Sequence, residues 1–200
     1  MSRKLRRNSN SQTRSTYSLI KQKIFRHFQV ELCSMSCQHI LTMTQELNAL
    51  TFVSFDPAYR KAFFDLNKAW LEAHFLLEPY DIEVLSNPER EVLDAGGEIH
   101  FGLLGEEAIA TFALTPRRKG VMELNKMAVH QNHRGKGIGH LMMDRVMDIC
   151  RLRNVQTLEL YSHTSLASAI HLYHKFGFKA IPLPADCVYD RANTRMQLEL

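Results

Sequence analysis

The run Val121–Gly139, VMELNKMAVHQNHRGKGIG, constrains this chain more than any other stretch. Val121–Val129 reads as a strand, with apolar Val121, Met127 and Val129 around polar Glu123, Asn125 and Lys126. His130–His133 is a short polar loop. After it, Ile138, Leu141, Met142, Val146 and Ile149 recur at helical spacing. Between strand and helix lies Arg134-Gly135-Lys136-Gly137-Ile138-Gly139.

The physics of that junction is specific. A helix start leaves backbone N–H groups unpaired, with the positive end of the helix dipole behind them. Glycines remove Cβ atoms, so a large anion can approach the backbone closely. Arg134 and Lys136 add positive charge. Such a junction suits a phosphate or pyrophosphate. A helix cap needs one glycine, and three beside two cations exceed that need. The dinucleotide pattern G-x-G-x-x-G fails because His140 stands where the third glycine belongs. The P-loop pattern fails because Gly137, not Ser or Thr, follows Lys136.

The flanking chain alternates strands and helices. Leu50–Phe55 reads as a strand. Asp56-Pro57 opens a helix with an apolar stripe of Phe63, Leu66, Ala69, Trp70, Ala73 and Leu77. A shorter helix runs through Val84 and Leu85 and is interrupted at Asn87-Pro88. Glu98–Leu104 and Glu107–Thr115 form a hairpin about Gly105-Glu106. Pro116–Gly120, with Arg117, Arg118 and Lys119, reads as a basic loop, foremost a solvated hairpin end and secondarily a rim contact with substrate or the cofactor's phosphates. Thr157–Ser162 is a strand parallel to the organising one through a right-handed crossover. Thr164 or Ser165 caps the next helix, with Leu166, Ala169, Ile170, Tyr173 and Phe176 on one side and Gly177 at its end. A strand begins at Phe178, and Thr194–Leu200 closes the chain as another.

Charge separates two regions. Residues 1–48 carry eight Lys/Arg against two acids, a charge of +6, which leaves −2 of the +4 total for the remainder. The positive balance therefore belongs to a basic, Ser/Arg-rich extension over 1–48, followed by a domain over 49–200. Three readings of the extension stand: a disordered or loosely helical tail, a transit peptide, and a basic arm for anionic surfaces. The domain's own charge, without basic-aromatic interleaving, argues against a nucleic-acid partner. No apolar run approaches the roughly 20 residues of a membrane span. Cys33, Cys37, Cys150 and Cys187 form no C-x-x-C pair and read as reduced thiols of a cytoplasmic chain. The ten histidines form no metal-binding motif, so no metal is expected.

Arg134-x-x-Gly137-x-Gly139 directly after a strand resembles the pyrophosphate-binding motif of the GNAT superfamily of acyl-CoA-dependent N-acetyltransferases. Ala169–Phe178, AIHLYHKFGF, resembles the second signature of that family, A-x-x-x-Y-x-x-x-G-F. The resemblance covers residues 50–200. It implies an α/β (α+β) fold with a mixed central sheet of six to seven strands flanked by about four helices. It also implies acetyl-CoA as acyl donor and direct transfer to a primary amine of a small molecule or peptide, and it allows a homodimer. An acyl-CoA-binding module without turnover is the alternative.

The same resemblance assigns roles. Two parallel strands splay, and the backbone of Met127, Ala128 and Val129 faces the pantetheine arm. Arg134, Gly135, Lys136, Gly137, Ile138 and Gly139 hold the pyrophosphate. His163 stands where many relatives place an asparagine that bonds the pantetheine. Tyr173 is the general acid and Glu123 the base, with Glu78 in reserve. Phe75, Glu78, Tyr80 and Asp81 line the acceptor wall. An acidic wall there favours a cationic amine, and its aromatic residues, with Tyr189, suit an apolar one.

Overall fold

The computed structural model describes Leu47 and residues 49–200. Apart from Leu47, the extension read over 1–48, with Cys33 and Cys37, lies outside the described residues. The strands are Leu50–Ser54 (β1), Glu98–Leu104 (β2), Glu107–Arg118 (β3), Val121–Val129 (β4), Thr157–Ser162 (β5), Lys179–Ile181 (β6) and Thr194–Glu199 (β7). The α-helices are Arg60–Glu72 (α1), Pro79–Ser86 (α2), Ile138–Leu152 (α3) and Ala167–Lys175 (α4). The sheet order is β1-β2-β3-β4-β5-β7-β6, antiparallel throughout except for the parallel pair β4–β5. Among the described residues from Leu50 onward, this is the mixed sheet of seven strands with four α-helices that the two signatures imply.

Helices cover both faces of the sheet, so its central strands are buried on both sides. On one face, Ile138, Met142, Val146 and Ile149 of α3 pack against Phe112, Leu114, Met122 and Leu158. On the other, Phe63 and Leu71 of α1 and Val84 and Leu85 of α2 pack against Ile99, Phe101 and Ala113. Burying a Phe or Leu side chain in this way contributes about 1.5–3 kcal/mol. Period-2 alternation sends Met122 and Leu124 toward α3, and Glu123 toward the face of α1 and α2.

Four local expectations are corrected. The buried face of α1 is Phe63, Leu66, Asn67 and Leu71, whereas Ala69 and Ala73 are exposed. The helix ends at Glu72, and its 3.6-residue turn brings Leu71 rather than Ala73 beneath Asn67. The loop read over Pro116–Gly120 is largely strand, because β3 runs on to Arg118 and only Lys119-Gly120 turns. Its arginines are tied inward, Arg117 to Glu123 and Arg118 to Glu159. They stand beside Val121, the far end of β4 from the glycine loop and roughly 26 Å away at 3.3 Å per residue, so they make no phosphate rim. Neither Thr164 nor Ser165 caps α4 with its side chain: the N-cap is Leu166, and His163 instead accepts from the Ser165 N–H at 3.1 Å. Finally, the resemblance puts the connection between the first two helices at Phe75–Asp81, but α2 starts at Pro79, so Tyr80 and Asp81 belong to its first turn.

Candidate functional site

β4 and β5 pair over only three residues, Val121↔Thr157, Met122↔Leu158 and Glu123↔Glu159. Beyond them the strands part. β5 stays paired with β7 as far as Ser162, and β4 stays paired with β3 as far as Val129. A bulge in β4 contributes to the parting. Thr111 faces Ala128 while Ala113 faces Asn125, so β4 carries one residue more than β3 across that interval. Lys126 takes the strain with a φ of 49°. The cleft between the strands holds a cavity of about 310 Å³. Its lining runs from Trp70 and Asp81 past β4 to the glycine loop and Tyr173. Clefts at the carboxyl ends of parallel strands are where α/β sheets take ligands.

The glycine loop closes one end of this cleft. Gly135 and Gly137 have φ of 74° and 84°, a left-handed conformation that strains any residue with a Cβ. A Cβ built on Gly135 meets nothing within 4 Å, so the space beside the loop is open. Gly139 serves differently, since its Cβ would lie 3.3 Å from Leu172 Cδ2 of α4 and crowd the packing of the two helices. Arg134 turns back and donates its Nε to the Val129 carbonyl at 3.0 Å, which fixes the loop to the end of β4. The α3 N-terminus opens beside it, so backbone donors, dipole and cation converge on one place.

Glu123 is fully buried at the middle of the cleft. Arg117 holds its Oε2 through Nε at 2.6 Å and also through Nη2. Asn125 Nδ2 donates to Oε1 at 3.1 Å, and the Tyr189 hydroxyl donates to the same oxygen at 2.8 Å. The carboxylate is therefore oriented from both oxygens. Burial and the nearby Glu123 charge push the Tyr189 hydroxyl well above its ordinary pKa, so it stays protonated and donates.

The residues expected to wall the acceptor are not a row of available acids. Asp81 is fully buried and accepts from Lys126 Nζ at 2.7 Å and from Arg191 Nη1 and Nη2 at 2.6 and 3.1 Å. Burial pushes the Asp81 carboxyl up, but Lys126 and Arg191 together outweigh it and hold the group below its ordinary range. Glu78 accepts the Arg191 N–H at 3.0 Å and pairs with its guanidinium at 2.9 Å. Both acids are thus engaged by the chain's own cations. Tyr80 stands edge-on to Tyr189, and Phe75 edge-on to His163.

Tyr173 reaches the cleft from α4. Burial pushes its hydroxyl up to about 12, so it remains a proton carrier across the physiological range. His163 also lines the cleft. Its Nδ1 accepts from the Ser165 N–H, and that leaves Nε2 as the ring's N–H. Among the described residues no three His, Cys, Asp or Glu gather as a metal site, and no helix is long and apolar enough to cross a membrane.

Residues 60–178, more than half of the chain, match the model of the Acetyltransferase (GNAT) family. The chain belongs to that family. An uncharacterized N-acetyltransferase of Bacillus subtilis, YvbK, is 25% identical over 105 residues, which is 51% of this chain and 68% of the relative. A GNAT-family acetyltransferase from Staphylococcus aureus Mu50 superposes with a TM-score of 0.69 at 21% identity, covering 76% of this chain and 99% of that one. The yncA protein of Salmonella typhimurium, whose structure holds its cofactor acetyl-CoA, superposes with a TM-score of 0.61 at 22% identity, covering 75% and 93%. At these identities the structural likeness speaks for the GNAT fold alone.

Sequence reasoning missed four groups that shape this GNAT site. Asn125 was within reach, since two residues along a strand from Glu123 is the same face. Arg117 was hidden by the misread loop. Tyr189 entered only as an aromatic of the acceptor loop, and Arg191 not at all, because an irregular loop has no periodicity to read.

Proposed function

We propose that the protein transfers the acetyl group of acetyl-CoA directly to a primary amine of a small molecule or peptide. The observation that carries this reading is the parting of β4 from β5 after Glu123, with a left-handed glycine loop closing the same cleft. Acetyl-CoA supplies an activated acyl group whose thioester oxygen gains negative charge as the amine attacks, and whose sulfur leaves as a thiolate. The open space at Gly135 and the donors at the α3 N-terminus suit a pyrophosphate held by Arg134, Gly135, Lys136, Gly137, Ile138 and Gly139. The backbone of Met127, Ala128 and Val129, no longer paired with β5, is available to orient the pantetheine arm and polarise the carbonyl. His163 offers Nε2–H to the same arm.

Two proton movements are needed. The amine must lose one, and Glu123 takes it. Tyr189 lines the cleft and donates to Glu123, so the phenol relays: its oxygen accepts the amine's proton as its own passes to the carboxylate. Tyr173 serves the departing sulfur. As the C–S bond breaks, the buried Tyr173 hydroxyl, protonated at rest, gives the thiolate the second proton as general acid, and solvent returns a proton to the phenolate as Glu123 releases the amine's. Phe75, Tyr80, Glu78 and Asp81 bound the acceptor, the two acids through their ion pairs. The free thiols Cys150 and Cys187 fit a cytoplasmic setting.

The test is release of free CoA thiol from acetyl-CoA in the presence of amines. Glu123→Gln is expected to lower kcat by about 100-fold while leaving the KM for acetyl-CoA within a factor of about two. Full activity of that variant across the pH range would remove Glu123 from the reaction. Thiol release that does not depend on any added amine would remove the transfer itself.

A further inference from the structure

The acceptor end of the cleft contains several charged groups and almost no uncompensated charge. Two carboxylates line the cleft, Asp81 and Glu123. Asp81 is matched by Lys126 and Arg191, and Glu123 by Arg117. Glu78, beside them, is matched by the same Arg191. The Asp81–Lys126 pair is buried, with side-chain exposures of 0% and 5%.

A protein has a second way to hold an ammonium group, the face of an aromatic ring. Here that means is used as well. Lys126 Nζ lies 5.5 Å from the ring centre of Tyr80 and 5.6 Å from that of Tyr189. The Arg191 guanidinium lies 5.5 Å from Tyr189 and 6.0 Å from Phe75. An additional cation on a substrate would therefore meet two fixed cations, acids already paired and rings already faced. What the wall still offers is apolar surface, from Trp70, Leu71 and Phe75, and one uncommitted acceptor, Asn125 Oδ1, which suits a single amine.

We propose that the acceptor is a monoamine on an aromatic or apolar body, recognised by that body rather than by charge, and that polyamines are discriminated against. The assignment rests on the acetyltransferase reading of the cleft, since it specifies what occupies the acceptor side. The sequence reading left a cationic and an apolar amine both open. The ion pairs of Arg191 and Lys126, which bring an irregular loop and a bulged strand onto α2, favour the second.

Trp70 makes the test independent of turnover. It is the chain's only tryptophan and it lines the cleft. Its emission, excited where phenyl rings do not absorb, reports what enters. With the full chain, 2-phenylethylamine is expected to give a saturable change at a concentration at least about tenfold below that needed for spermidine. The Arg191→Gln variant releases Glu78 and leaves Asp81 with Lys126 alone, and is expected to narrow that ratio. Equal or reversed ranking in the wild-type chain, or a signal that answers neither amine, would overturn the assignment. Acetyl transfer, followed in parallel by thiol release, separates the two readings. Tight 2-phenylethylamine binding without transfer would sink the acetyltransferase reading and leave only the cleft's preference for an apolar body, and preferred transfer to spermidine would overturn the assignment and leave the transfer reading standing.

Discussion

Asp81 illustrates how one residue ties the site to stability. It is fully buried and accepts three charged hydrogen bonds, from Lys126 and from both terminal nitrogens of Arg191. Removing one partner of such a pair leaves the other charge in a poor solvent, and Lys126 has 5% of its side chain exposed. Asp81→Asn is therefore expected to cost about 3 kcal/mol, read from urea midpoints at neutral pH. The pH dependence follows from the direction of the shift. Asp81's carboxyl is held below its ordinary value in the folded chain, so its contribution is complete above the unfolded pKa of about 3.9 and fades as pH falls through the folded one. The gap between wild type and variant should accordingly close below about pH 4, and a gap of the same size at pH 3 and pH 7 would contradict the ion-pair account. Sequence reading found Asp81 but not its state. Lys126 is adjacent to Asn125, and strict alternation points neighbours to opposite faces. The bulge at Lys126 breaks that rule and brings the lysine onto Asp81. Nothing in a period-2 pattern announces such a break.

Among the elements, β4, α3 and α4 position the chemistry, and they were the most legible from sequence. Their signals are local: an apolar strand, a glycine-rich turn and helical spacing. Even so, Met143 and Cys150 of α3 are buried where the spacing had named Leu141. A helix packed between a sheet and a second helix buries a wider stripe than one side predicts. α4 ends as its glycine suggests. Gly177 has a φ of 92°, its N–H bonds the His174 carbonyl at 2.9 Å, and the Phe178 N–H bonds the Tyr173 carbonyl at 3.1 Å. That cap holds the turn that carries Tyr173. Gly177→Ala is expected to lower stability by about 1–2 kcal/mol, because an alanine Cβ crowds the backbone in the left-handed conformation. A urea midpoint equal to wild type would show that the cap contributes little. The failures at element scale lie at β3 and α1. Arg117 and Arg118 read as loop because Pro116 and Gly120 bracket them, yet each has a carboxylate waiting on the sheet, Glu123 and Glu159. Those partners are remote in sequence or on another strand, so local pattern cannot supply them.

At the scale of the whole molecule, a three-layer arrangement converts a sheet irregularity into a site. Where β4 and β5 part, each keeps its outer neighbour, β4 with β3 and β5 with β7, and the bulge at Lys126 contributes to the parting. The cleft is thus built into the sheet and does not need a moving part to exist. The end proposed for the cofactor is made by the loop and the α3 N-terminus, and the end proposed for the acceptor by α1, α2 and the loop before β7. The sequence made the first end readable, since an anion site is written in glycines and cations close together. The second end draws Asp81, Lys126, Tyr189 and Arg191 from three distant segments, and only the fold brings them into one place. The proposed function requires that the glycine loop of this cleft receive acetyl-CoA. Calorimetric titration of acetyl-CoA into the full chain, beside a Gly137→Val variant with the same thermal midpoint, tests it most directly. A valine cannot hold the φ of 84° without strain and would block backbone approach. Binding in the micromolar range by wild type, weakened at least about 100-fold in the variant, is the result expected here. Equal affinity in the two proteins would put the phosphates elsewhere and contradict it.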